Sequence, residues 1–332
     1  MSGSLLSVVV IGRNEGERLR RCLESVGSMR RGAWDVELIY VDSGSSDGSV
    51  ALAQKMGARA IALTPMRPTA ALGRNAGWRA ARGDWVLFLD GDTVLAPDFV
   101  IEALAEFGDA RVAVVWGHRR EMYPEQTVYN RVLDLDWVYA PGYAAFCGGD
   151  ALFRREVLEA VGGFDETLIA GEEPELCRRI LAAGGLILHV DRAMTLHDLG
   201  MRSFGQYWQR AMRAGHAYAE VSERFASDGF WSAEVRRNRV RAVALCGLVV
   251  VGVAGSIALR SAWPVGVVVG GLLALAVRTA WKARWKSRDP LTLLLYGVHS
   301  HLQQVPIYLG QMRYGWNKRK GLRAGLVEYK RP

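Results

Sequence analysis

Cysteine is scarce in this chain of 332 residues, and Cys22, Cys147, Cys177 and Cys246 form no C-x-x-C pair and no metal-type spacing. That excludes a zinc ribbon and a disulfide scaffold, and it fits a reducing compartment such as the cytoplasmic side. No G-x-G-x-x-G follows the first apolar run, so a dinucleotide-binding reading lacks its main support. Acid is almost missing from the last third. After Phe230 only Glu234, Asp289 and Glu328 stand against 17 of the 42 Lys and Arg, a balance of +14, while residues 1–230 carry −6 of the net +8. No basic residue precedes the apolar run 5–11 and Arg13 stops it, so it reads as a buried strand and not as a signal peptide. With 50% hydrophobic and 23% charged residues, disorder and collagen-like repeats are excluded as well.

The apolar residues of the basic part are concentrated. Residues 242–259 are 18 without a charge and 262–277 are 16 more, with Arg260 and Ser261 between them. At ~1.5 Å per residue the first run is about 27 Å long as a helix, enough for a hydrocarbon core, and the second is shorter. Two short helices paired as a hairpin fit best, with a buried hairpin of a soluble core as the alternative. Arg236, Arg237, Arg239 and Arg241 flank one side and Lys282, Arg284, Lys286 and Arg288 the other, so the positive-inside rule puts both ends in the cytoplasm. Cations that interrupt apolar runs point to anionic membrane lipids and not to nucleic acid. Residues 291–316 mix Leu, Ile and Tyr with His299, His301, Gln303, Gln304 and Gln311, which suits an interfacial helix broken near Pro306. Lys318, Arg319, Lys320, Arg323, Lys330 and Arg331 then make a headgroup-binding tail or a solvated charge run. The expected organisation is a catalytic domain over 1–230, a two-helix transmembrane hairpin over 231–289, and an amphipathic interfacial helix with a basic tail over 290–332.

Residues 1–115 alternate short β-branched runs, at 7–11, 36–41, 59–63, 85–89 and 111–115, with helical patterns. Leu19, Cys22, Leu23 and Val26 recur at i, i+3, i+4 and i+7, which marks an amphipathic helix. Such alternation implies an α/β fold, a mostly parallel sheet covered on both faces with ligands held where strands end. Function is therefore expected at 12–15, 42–49 and 90–92. Asp42, opening a Ser- and Gly-rich loop, suits a nucleobase N–H or a ribose hydroxyl, or else starts a turn. Asp90 and Asp92 flank Gly91 at the end of an apolar strand. Carboxylates at i and i+2 point the same way in a strand, so the pair can serve one divalent cation, Mg²⁺ or Mn²⁺, carrying a diphosphate. In a helix beginning near Glu172, Glu173 shares a stripe with Leu176, Cys177, Ile180 and Leu181, whereas Glu172 and Glu175 lie off it. Glu173 is thus a candidate general base, or one of several acids complementing the helix dipole.

In order along about 200 residues, Gly12-Arg13-Asn14-Glu15, Asp42-Ser43-Gly44-Ser45-Ser46-Asp47, Gly73-Arg74-Asn75-Ala76-Gly77, Asp90-Gly91-Asp92, Cys147-Gly148-Gly149-Asp150 and Gly171-Glu172-Glu173 resemble the family 2 inverting glycosyltransferases. The resemblance implies a GT-A fold, the doubly wound architecture of transferases acting on nucleotide-diphosphate sugars. It departs in one place, since the usual acid pair is Glu-Asp and here it is Glu172-Glu173. Carried over by position, it implies that Arg13, Glu15 and Asp42 line the nucleotide pocket, that Asp90 holds the ribose or metal-bound water, and that Asp92 holds the metal. Gly148 and Gly149 would floor the sugar site, and Glu173 would deprotonate the acceptor hydroxyl. Arg74 is a diphosphate partner by this reading or faces solvent. Arg210 and Arg213 follow in a stretch where processive synthases carry Gln-x-x-Arg-Trp; no Trp follows Arg213, which argues for a non-processive enzyme. His197 is a third metal ligand or simply hydrogen-bonded, and His216 is a further candidate.

The function implied is a membrane-associated, metal-dependent inverting glycosyltransferase moving one sugar from a nucleotide-diphosphate sugar to a lipid-linked or surface-glycan acceptor at the cytoplasmic face of the inner membrane. A variant uses polyprenyl phosphate as acceptor. A sugar nucleotidyltransferase needs a glycine-rich basic loop after the first strand, which residues 12–15 do not supply, and a non-catalytic membrane scaffold has no use for six ordered polar loops.

Overall fold

The computed structural model describes residues 5–322, which divide into two compact units: 5–122 with 137–199, and 123–136 with 200–322. By compactness the division falls at residue 199, ahead of the boundary expected near residue 230.

In the first unit β1 (Leu5–Gly12), α1 (Glu17–Ser28), β2 (Asp35–Asp42), α2 (Ser49–Lys55), β3 (Arg59–Ala62), α3 (Ala70–Ala80) and β4 (Trp85–Asp90) follow the expected alternation. Next come β5 (Thr93–Leu95), α4 (Phe99–Ala105) and β6 (Val112–Glu121), and α5 (Val128–Asp134) belongs to the second unit. β7 (Gly142–Tyr143), β8 (Ala151–Arg154), α6 (Arg155–Val161), α7 (Glu172–Ala182) and β9 (Leu186–His197) complete the first. The strands form one sheet in the order β3-β2-β1-β4-β8-β6-β9-β5, with β7 on β9. β1 is parallel to β2 and β4, whereas β8 runs antiparallel to β4 and β6, so the sheet is mixed.

Burial on both faces explains why β1 is apolar at successive positions, with Leu6, Val8, Val9 and Val10 wholly buried. The stripe Leu19, Cys22, Leu23 and Val26 of α1 is buried as its spacing requires. α3 lies so close to β1 that a Cβ added at Gly77 would stand 2.2 Å from Val9 Cγ1, which brings the neighbouring turn, with Arg74, deep into the unit. β6 runs well past the apolar run 111–115 to Glu121, and register shifts against β9 between Trp116 and Arg119 re-aim its polar end.

The second unit is helical: α8 (Phe204–Arg224), α9 (Ser232–Ala258), α10 (Trp263–Lys282), α11 (Pro290–Leu302) and α12 (Gln304–Arg319) join α5. α9 and α10 are long and apolar enough to cross a membrane, with only 11% and 6% of their apolar windows buried. Both outrun the short helices expected from the uncharged stretches. Arg236, Arg237, Arg239 and Arg241 are good helix formers and extend α9 at its start. The break between α11 and α12 falls at Gln303, because Pro306 has no N–H to donate to the carbonyl of Leu302. His299 of α11 is buried between Tyr207 Oη at 2.9 Å and Asp136 Oδ2 at 3.1 Å, tying three segments of the unit together. Arg323, Lys330 and Arg331 of the expected basic tail lie outside the described residues.

Candidate active site

The loops after β1 and β2 are stitched to each other. Gly12 pairs with Asp42 in register and accepts from the Ser43 N–H at 3.0 Å. Asn14, at a left-handed φ of 54°, donates its N–H to Ser45 Oγ and accepts from the Ser46 N–H, both at 2.8 Å. Asp42 is 2% exposed and accepts from Tyr40 Oη at 3.0 Å and from the Gly44 and Ser45 N–H groups at 2.9 and 2.8 Å. Its role as the start of a turn is therefore built; it shapes the loop from beneath. Arg13 is exposed above that loop, with Nε donating to the Gly44 carbonyl at 3.4 Å, and Glu15 pairs with Arg18 at 2.9 Å.

Around Gly149 a cation gathers three acids from two elements, β4 and α7. Arg74 of α3, 2% exposed, places Nη2 2.9 Å from Asp90 Oδ1 and Nη1 3.0 Å from both Glu172 Oε1 and Glu173 Oε1. A Cβ added at Gly149 would lie 2.5 Å from Arg74 Nη2, 3.0 Å from Asp90 Oδ2 and 3.2 Å from Glu173 Oε1, so only glycine lets the backbone pass here. Gly148 faces open space. Burial, reinforced by the neighbouring Glu172, lifts the Glu173 carboxyl to about 7 despite Arg74. Asp90 goes the other way: burial opposes its charge, but Arg74 and Arg119 outweigh it and hold the carboxyl below its ordinary value.

Glu172 is a correction. Placed off the inward stripe, it is 4% exposed, because Arg74 waits at the first turn of α7 and draws in a carboxylate that the apolar pattern excluded. Glu175 is likewise buried, satisfied by Arg179 one turn on at 2.7 Å. Arg74 itself faces these acids and not solvent.

Asp90 and Asp92 do not face the same partners, as strand alternation predicts they should. β4 ends at Asp90 and the chain turns at Gly91, so the two-residue period stops between them. Asp90 faces Arg74 and Arg119, whereas Asp92 Oδ2 lies 3.3 Å from His197 Nε2. His197, the last residue of β9, has Glu121 Oε2 3.9 Å from its Nδ1 and the Trp137 ring edge-on at 4.9 Å between centroids. Among the described residues no three His, Cys, Asp or Glu side chains form a ready metal cage. The Asp92 carboxylate suits Mn²⁺ or Mg²⁺ when ligand phosphates and water complete the shell, and the imidazole beside it favours Mn²⁺ of the two.

Two residues without an assigned role prove central. Asp150, 2% exposed, accepts from the Asp90 N–H at 2.9 Å and from Thr195 Oγ1 at 2.7 Å, and burial pushes its carboxyl up. Arg119 lies 3.4 Å from Asp90 and 3.6 Å from Asp150, its guanidinium 5.0 Å from the centre of the Trp137 ring. The signal available for Arg119 was the polar end His118-Arg119-Arg120-Glu121 of a strand that begins apolar. Arg210 and Arg213 are half-buried on α8 of the second unit, and His216 of the same helix packs edge-on against Tyr314 at 5.1 Å.

Residues 85–298 match a family model described as glycosyl transferase family group 2, and residues 7–162 match one described as glycosyl transferase family 2. The chain is 29% identical over 213 residues to the pre-mycofactocin glycosyltransferase of Mycobacterium tuberculosis, covering 58% of this chain and 42% of that protein. It therefore spans about two fifths of the length of that relative. It is 24% identical over 225 residues to the glycosyltransferase AglE of Haloferax volcanii, covering 65% of this chain and 73% of that one. Among solved structures, the mannosyltransferase PcManGT from Pyrobaculum calidifontis, in complex with GDP-Man and Mn²⁺, superposes with a TM-score of 0.60 over 96% of this chain and 89% of that chain. At 18% identity the likeness is one of fold.

Proposed function

This chain belongs to glycosyl transferase family 2, and from that premise we propose that it moves one sugar, in a single inverting displacement, from a nucleotide-diphosphate sugar to a hydroxyl of a lipid-linked or surface-glycan precursor. The observation that carries the reading is Glu173, an inward carboxylate at the start of α7 that burial lifts to about 7, beside a glycine floor at Gly149. A base poised near neutrality is both ionised often enough and basic enough to take the acceptor proton.

Arg13 and Glu15 lie over the nucleotide, and Asp42 holds the loop that receives it. Gly148 and Gly149 let the sugar approach the backbone. Asp92 and His197 would hold Mn²⁺ or Mg²⁺, which supplies a positive charge for the departing diphosphate. Asp90, kept ionised by Arg74 and Arg119, accepts from the ribose or from water. The missing Trp after Arg213 supports a single transfer and not processive synthesis.

The exposed apolar flanks of α9 and α10, with Val251 69% and Val267 64% exposed, support anchoring in an anionic membrane. Their basic ends support a cytoplasmic catalytic face at the inner membrane.

Membranes bearing the chain, incubated with Mn²⁺ and radiolabelled UDP-glucose, UDP-N-acetylglucosamine or GDP-mannose, are expected to incorporate label. Asp92→Ala and Glu173→Gln are expected to abolish incorporation; full activity in both variants overturns the mechanism.

A further inference from the structure

We infer that Arg74 is a positioning residue, fastening the base Glu173 and the carboxylate of Asp90 into one frame, and is not a ligand of the donor diphosphate. The inference rests on Glu173 being the base, as proposed above.

An arginine that clamps a diphosphate has to present its fork to the ligand. The Arg74 side chain is 2% exposed and both terminal nitrogens are taken, Nη1 by Glu172 and Glu173 and Nη2 by Asp90. The backbone of Gly149 closes over Nη2, and the Phe164 ring lies 5.6 Å from the guanidinium carbon. The remaining nitrogen, Nε, has no hydrogen-bond partner but is buried, so the cation presents no open fork to a phosphate.

The three acids differ in a way that assigns them separate parts. The Glu172 side chain is 5% exposed and that of Glu173 19%, so Glu172 is the buried counter-charge while Glu173 keeps one side open to a reactant. Asp90, on another element, is 27% exposed. Arg74 thus spans α7 and β4 with a rigid planar group, setting the distance between the carboxylate that takes a proton and the one at the nucleotide end. A lysine would supply the charge but not the two-pronged span.

The test uses the full-length chain in two assays, with Arg74→Lys and Arg74→Met set against Glu173→Gln. Calorimetry of the detergent-solubilised chain reads binding of UDP and GDP with Mn²⁺, and transfer from the three radiolabelled sugars reads kcat and donor KM. For a positioning residue, nucleotide affinity and donor KM stay within about threefold of the parent while kcat falls about 100-fold in Arg74→Met and is partly recovered in Arg74→Lys. A loss of nucleotide affinity of about tenfold or more with kcat retained overturns the inference, as does parental turnover in Arg74→Met. If Arg74→Met fails to fold, the split between kcat and KM in Arg74→Lys decides by itself. An active Glu173→Gln removes the base reading. An inactive Glu173→Gln beside an active Arg74→Met leaves that reading standing and removes this inference alone.

Discussion

Replacing Glu172 by Gln takes away one of the influences that raise Glu173, the others being burial and the more weakly acting Asp90, and leaves the side chain's shape and an oxygen for Arg74. The size of the effect follows from geometry. Each carboxylate has an oxygen 3.0 Å from the same Arg74 Nη1, so the two oxygens are no more than about 6 Å apart; at that limiting separation and an effective dielectric of ~20 their repulsion is about 2.8 kcal/mol, or about two pH units, before solvent screening of the partly exposed Glu173 reduces it. Glu173 in the parent loses its proton near pH 7, so log(kcat/KM) is expected to rise with pH to a plateau above that value. In Glu172→Gln the rising limb moves down by about one to two pH units while the plateau stays within about threefold. The assay is sugar transfer by membranes across about pH 5 to 9. A limb that stays in place, or moves up, refutes the coupling of the two acids and with it the electrostatic account of the base.

Glu173 also makes stability depend on pH. Its folded value of about 7 lies above the ordinary 4.5, so the folded chain keeps a proton that the unfolded chain releases, and stability falls as pH rises through that interval. Glu173→Gln is expected to flatten this slope and to melt higher than the parent at pH 8, measured by thermal unfolding in detergent. Gly149→Ala puts a methyl group 2.5 Å from Arg74 Nη2; it is expected to cost about 1–3 kcal/mol and to lower kcat, read from thermal melts and transfer assays, and a neutral outcome disproves the tight floor. Asp150→Ala leaves the N–H of Asp90 and the hydroxyl of Thr195 without their acceptor, an expected loss of about 1–3 kcal/mol per stranded donor that denaturant titration measures. Membranes washed at alkaline pH are expected to retain the chain through α9 and α10, and complete release into the wash argues against spanning helices.

Much of the architecture was legible in the sequence because it is periodic. The apolar runs of β1, β2 and β4 and the stripe of α1 have the length and spacing their geometry demands, and most of their apolar residues are buried. The mixed sheet was not legible, since β8 is four residues long and its direction depends on pairing with β4 and β6. Within the candidate site, Glu173 could be found from helical spacing. Glu172 could not, because a wheel weighs apolarity and has no way to foresee a buried cation arriving from α3.

By itself the sequence determined the alternation of strands and helices, the polar residues at strand ends, the two apolar helices and the split between an acidic first part and a basic second one. All of these are local or additive properties: spacing, hydropathy and charge counts along the chain. Only the tertiary structure decided that Arg74 holds three carboxylates, that Asp90 and Asp92 turn to different partners, and that Asp150 and Arg119 support Asp90. Those are contacts between residues far apart in sequence. Their strength depends on exclusion of water and on distances of about 3 Å, which exist only once the strands and helices have packed.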